Sequence, residues 1–172
     1  RGRIVDEKKL GDFFKQLLAK AKPSKVTTRD VNFFIPESQI YPIIARYELP
    51  LTKQLDEYIT EEIKTSVPID ASDIIHTHSI RRKEKEWVEV LIIAAQKSVL
   101  EEWYTFFKKQ GIELDIFDIE TLANFRSLYS KSPKENVCVV DIGKFQTKIS
   151  IFDGFGLGYS HVIDDAGDAM TS

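Results

Sequence analysis

Residues 137–156 read VCVVDIGKFQTKISIFDGFG. Two runs of β-branched and apolar residues flank a polar turn, which predicts a pair of strands. Asp141 and Gly143 stand where the first strand ends, and Thr147 opens the second. A glycine after a strand lets backbone approach a phosphate closely and aim its N–H at it. The Thr147 hydroxyl would add a donor there. The Asp141 carboxylate cannot face phosphate favourably, but it can hold the waters of a bound magnesium ion. Downstream, AGDAMT places Gly167 at the start of a predicted helix, a second place where backbone donors meet an anion. Spacing alone favours a plain hairpin, so the decision turns on the rest of the chain.

The chain has 172 residues, enough for one sizeable core or for two small domains sharing one. Hydrophobic residues make up 42% and charged residues 30%, an ordinary globular balance. With 24 basic against 27 acidic residues, the chain lacks the positive excess of a dedicated nucleic-acid binder, and no such partner is expected. No apolar run approaches the roughly 20 residues that span a bilayer. Residues 1–10 are too charged to read as a signal peptide. The single cysteine, Cys138, excludes an internal disulfide and a cysteine-rich zinc site. Lying within an apolar run, it reads as a small buried side chain in a reducing, cytosolic protein. The chain starts at Arg1 and stops inside a helix-like opening, and so reads as a piece of a longer protein.

Working backwards, residues 130–136, SKSPKEN, are the best candidate for a subdomain boundary. Before them, Leu122, Phe125 and Leu128 predict a short helix over 121–129, preceded by a strand, IELDIFDI. Val99, Leu100, Trp103, Tyr104 and Phe107 form the buried stripe of a helix that Ser98 caps and Gly111 ends. DIIHTHSI and WVEVLIIAA are strands joined by RRKEKE, whose interleaved glutamates suit a solvated turn. Leu55, Ile59 and Ile63 mark a helix capped by Thr52 and closed by Pro68. QIYPIIARYELP is a strand with Pro42 inside it, hence an edge or a bulge. Val31, Phe33 and Ile35 form another strand, stopped by Pro36. Leu10, Phe13, Phe14, Leu17 and Leu18 give an amphipathic helix over 6–20. Strand and helix alternate around a compact strand–helix–strand–strand unit, an α/β pattern.

No Walker-type loop, paired-histidine motif or nucleophile elbow is present. His76 and His78 share one face of a predicted strand, but two ligands without a third do not make a metal site.

The string VVDIGKFQTKISIFDGFGLGYSHVIDDAGDAMT resembles the second phosphate motif of the actin-like ATPases. There it takes the form strand, Asp-x-Gly-x-x-x-Thr, two further strands, then Gly-Gly and a helix. The upstream phrases FFIPES, ITEEIKTSVPID and VLIIAAQKSVLEEWYTFFKKQGIELDIFDIETLANFRSLY are similar to the PilM family of type IV pilus assembly. FtsA, of cell division, shares the architecture but matches those phrases less well, and the equivalent part of the type II secretion machinery is a third relative. The resemblance implies a partial actin-like, ribonuclease H-like fold. Residues 1–38 and 111–134 would belong to the first nucleotide-binding subdomain, 39–110 to an inserted small subdomain, and 135–172 to the start of the second.

It further implies ATP and magnesium in the full-length parent, with Gly143, Lys144, Thr147 and Gly167 on phosphate and Asp141 on magnesium through water. Glu120 occupies the position before the connecting helix where relatives place a polar residue near the attacking water, although Glu also suits a helix start. Ala166 stands where the family often has glycine. An actin-like site needs two phosphate loops, and this chain shows one, so it is expected neither to bind nor to hydrolyse ATP by itself. The partners implied are the N-terminal tail of a PilN-type membrane protein, other pilus assembly proteins and, through them, the inner face of the cytoplasmic membrane. The docking groove is expected between the inserted and first subdomains, with walls from 36–41 and 52–66. An FtsA-like filament protein and a kinase of the same superfold are the alternatives.

Overall fold

Asp6 caps the first helix by accepting from the Lys9 N–H at 2.9 Å, and α1 runs Glu7–Lys20. The computed structural model describes residues 2–129, 134–164 and 167. Strand β1 (Asp30–Ile35) pairs in parallel with β5 (Glu113–Ile119), forming the first sheet. Between them in sequence come β2 (Ile40–Glu48), α2 (Leu55–Ser66), β3 (Ile74–Lys83), β4 (Trp87–Gln96) and α3 (Lys97–Lys109). The middle sheet is antiparallel in the order β2-β4-β3. After β5 come α4 (Glu120–Leu128) and a last antiparallel sheet, β6 (Val137–Ile142), β7 (Thr147–Asp153) and β8 (Gly156–Ile163). The boundary expected at 130–136 falls mostly outside the described residues, as do Ala166 and the helix expected beyond Gly167.

β4 explains why one core serves several layers. Its nearly continuous apolar run is buried on both faces, as a central strand requires. Val88, Val90, Ile92 and Ala94 take Ile59 and Ile63 of α2. On the other face Leu91 meets Phe152 and Leu157 of the last sheet. Each fully buried aliphatic side chain contributes about 1.5–3 kcal/mol, so β4 cannot leave either neighbour without a large loss. Pro42 lies in β2 with no register break, on the edge of the sheet. A third cluster joins Phe14, Phe33, Trp103, Phe106 and Phe107 between α1, α3 and the first sheet.

Several local expectations change. In α3, Phe106 is buried and Tyr104 is exposed, because the aromatic stripe points at α1 and β1 rather than lying along 100–104. In α1, Phe13 and Leu17 are exposed, while Leu10, Phe14 and Leu18 pack. Thr52 does not cap α2: Gln54 is the cap residue, with the Glu57 carboxylate accepting from its N–H at 3.2 Å, and Thr52 pairs with the Tyr58 hydroxyl. Nor does Ser98 cap α3. Asp73, in the turn before β3, accepts from the Ser98 N–H, the Ser98 hydroxyl and the Gln96 amide at 2.7–2.8 Å. Those hydrogen bonds, Gln96 first, hold the Asp73 carboxyl below its ordinary value. The charged run also differs, since β3 continues through Lys83 before the turn. Gly111 ends α3 in the left-handed conformation at φ +70°.

Cys138 is exposed. β6 alternates, with Val137, Val139 and Asp141 turned inward and Cys138, Val140 and Ile142 outward. Among the described residues nothing covers that outer face, so an apolar run gave a half-buried edge strand instead of a core one.

Candidate functional site

The loop 143–146 joins β6 to β7 and sets the register Ile142 opposite Thr147 and Asp141 opposite Lys148. Asp141 and Lys148 are therefore cross-strand neighbours on the inner face of the last sheet. That face looks onto α4, where Phe125 stacks on Phe152 with planes 7° apart. Between helix and sheet lies a narrow cleft lined by Thr121, Asn124, Val139, Asp141, Lys148 and Ser150.

The Lys148 ammonium is the centre of this cleft. Its side chain is 14% exposed; it donates to the Glu120 carboxylate and lies 3.7 Å from Asp141 Oδ2. The two acidic residues singled out from the sequence thus share one cation. Lys148 itself was missed. The signal that could have found it is the loop length, which places the residue after Thr147 opposite Asp141.

Glu37 is the second residue not anticipated. It is 5% exposed, and its carboxylate accepts from the Thr121 N–H at 3.0 Å. This is an anion at the N-terminus of α4, where the helix dipole favours negative charge. It fixes the turn that presents Glu120.

The glycines are engaged within the chain. Gly143 donates its N–H to the Gln146 carbonyl at 2.9 Å and accepts from the Gly167 N–H at 3.1 Å. A Cβ at Gly143 would sit 3.0 Å from that Gln146 oxygen, so a side chain there would push the turn open by a few tenths of an ångström. Thr147 is buried, whereas Lys144 is exposed with its ammonium 5.0 Å from the Phe145 ring. Gln146 holds the loop to Asp164 at 3.0 Å.

Magnesium can be tested against this donor set. Among the described residues no three His, Cys, Asp or Glu side chains converge on one point, so with Lys148 between Asp141 and Glu120 a bare divalent cation meets at most a weak site. A single carboxylate at a strand end suits contact through water with an ion carried by phosphates. Asp141 fits that role and no closer one. His76 and His78 are exposed on the edge strand β3, and His78 lies 3.9 Å from Asp56.

A second feature is a groove of about 630 Å³ along the outer edge of β2. Its walls include Glu37, Tyr41, Ile43 and Ser66 on one side and His161 and Val162 on the other. The segment 36–41 therefore does line a groove. The far wall comes from β8, and α2 contributes only Ser66. β2 pairs with β4 on one side alone, so its other edge offers backbone donors and acceptors. No described helix is long and apolar enough to cross a membrane.

No family model matches the sequence. Over 66 residues, 38% of this chain and 16% of the other, it is 38% identical to the cell division protein FtsA of Pseudomonas aeruginosa. Among solved structures, a chain of the PilM-PilN type IV pilus biogenesis complex superposes with a TM-score of 0.80 at 18% identity. That match covers 97% of this chain and 51% of the other. The cytoplasmic domain of EpsL, an inner membrane component of the type II secretion system of Vibrio cholerae, superposes at 0.59 with 12% identity. It covers 90% of this chain and 56% of the other, so the present chain spans about half the length of these structural relatives. The fold is that of the chain in the PilM-PilN complex, an α/β architecture present here in part.

Proposed function

We propose that the chain is part of a cytoplasmic assembly scaffold of the PilM type, which docks the N-terminal tail of a PilN-type membrane protein at the inner face of the membrane. The observation that carries this is the groove along β2, in a fold shared with a chain of the PilM-PilN complex. An extended peptide can pair with the free strand edge while its side chains enter apolar pockets beside Tyr41 and Ile43. A fluorescently labelled PilN-type tail peptide, titrated into the folded chain, is expected to bind, and Tyr41→Ala to weaken binding by about tenfold, the equivalent of about 1.4 kcal/mol. A folded chain that captures no peptide removes the proposal.

Nucleotide belongs to the same reading. Asp141 would meet the water shell of magnesium, and the loop 143–147 would approach phosphate when a longer chain supplies the opposing half. Phosphoryl chemistry in such clefts depends on positioning by both walls. Glu120 would then lie near the attacking water. For residues 1–172, isothermal calorimetry with ATP and magnesium is expected to give no micromolar binding, and a micromolar isotherm would contradict this. The short stretch of higher identity to FtsA favours a second reading, a filament-forming protein. Nucleotide-dependent pelleting of the parent protein, with no peptide binding, would select it.

A further inference from the structure

Lys148 is held by two carboxylates from different elements, Glu120 at the start of α4 and Asp141 at the end of β6. Both carboxylates keep a face to water, with side chains 38% and 41% exposed, while the ammonium between them is largely covered. A lysine ammonium is a compact point charge with no fixed fork geometry, so it can be shared and exchanged between acceptors. Without it, two carboxylates within reach of the same point would repel each other and attract any available cation. We propose that Lys148 is a positioning residue that acts as a tethered cation: it holds Glu120 and Asp141 and occupies the side of Asp141 that a hydrated divalent cation would take. This rests on Asp141 being the metal-side carboxylate, as proposed above.

Metal arrival at Asp141 and release of Lys148 are then coupled. With Asp141 screened by a divalent ion, the ammonium is left to Glu120 alone, and the link from β6 to α4 through Lys148 is cut. The coupling follows from charge and needs no large movement, because the ammonium already lies 3.7 Å from Asp141.

The test uses Mn²⁺ alone, added to the chain and followed by paramagnetic broadening of backbone amides in ¹H–¹⁵N spectra. In Lys148→Met, amides around Asp141 and Glu120 should broaden at about tenfold lower Mn²⁺ than in the wild type, since an opposing charge has gone. Lys148→Arg keeps the charge and should hold the response well below that of Lys148→Met. Adding Asp141→Asn to Lys148→Met should abolish the gain. A folded Lys148→Met chain with the wild-type response overturns the role of Lys148. A gain that survives Asp141→Asn instead overturns the placement of the metal at Asp141, which separates the two failures. If Lys148→Met does not fold, Glu120→Gln reads the same balance in the other direction. It leaves Lys148 to Asp141 alone and should lower the Mn²⁺ response, and a rise would overturn the proposal.

Discussion

At the two ends of β7 the chain uses a cation to join the last sheet to the rest of the molecule, and the two joints are built differently. At one end, Nη2 of Arg81 in β3 donates to both oxygens of Asp153 at 2.8 Å and Nη1 donates to Glu89, while Nε is buried without a partner among the described residues. Arg81 is the extra residue of a bulge in β3, which turns its side chain inward until it is only 5% exposed. At the other end, Lys148 is divided between two partly exposed carboxylates. A planar guanidinium with two-point contact fixes direction, whereas an ammonium fixes charge and leaves direction open. The Arg81 end has the geometry of a permanent joint and the Lys148 end that of an exchangeable one.

The largest effect expected from this contrast is on stability. Arg81→Met strips a covered charge from Asp153 and leaves Glu89 to Arg46 alone, which should cost about 2–3 kcal/mol in urea unfolding. Lys148→Met should cost about 1 kcal/mol or less in the same assay, because its partners are already solvated. Equal losses would erase the distinction between the joints. The smallest effect concerns a carboxylate satisfied by neutral donors. Asp73 titrates below its ordinary value through Gln96 and Ser98, so its stabilisation is present above that value and lost as pH falls through the lowered one. The thermal midpoint of Asp73→Asn should therefore lie below the wild type near neutrality. The gap should close as pH drops below about 3.8, the ordinary aspartate value. An unchanged gap in acid would show that Asp73 acts by shape and not by charge.

Helix and strand identity were legible wherever burial is one-sided. The β4 run and the Ile59/Ile63 stripe follow from periodicity, because a solvated α2 face and a doubly covered strand leave different patterns. Errors occurred where the covering layer comes from far along the chain. Cys138 and Tyr104 sit in apolar surroundings in sequence, yet no described element lies over them. The caps of α2 and α3 failed for a related reason: a hydroxyl near a helix start is a local signal, and a carboxylate 25 residues away displaced Ser98. In the candidate site, Asp141, Gly143 and Glu120 were legible as residue types at strand and helix ends. Glu37 and Lys148, which hold them, carry no motif.

By itself, then, the sequence determined the alternation of strands and helices, the tight turn at 143 and, through its upstream phrases, the likeness to PilM, since periodicity, turn chemistry and such phrases are local. Tertiary structure alone decided that Asp141 and Glu120 share the charge of Lys148, that Gly143 spends its N–H within the loop, and that β8 faces β2 across a groove. Those facts depend on distances between segments far apart in the chain. Such distances are set by which faces β4 and α4 bury, and no window of sequence contains both sides of that choice.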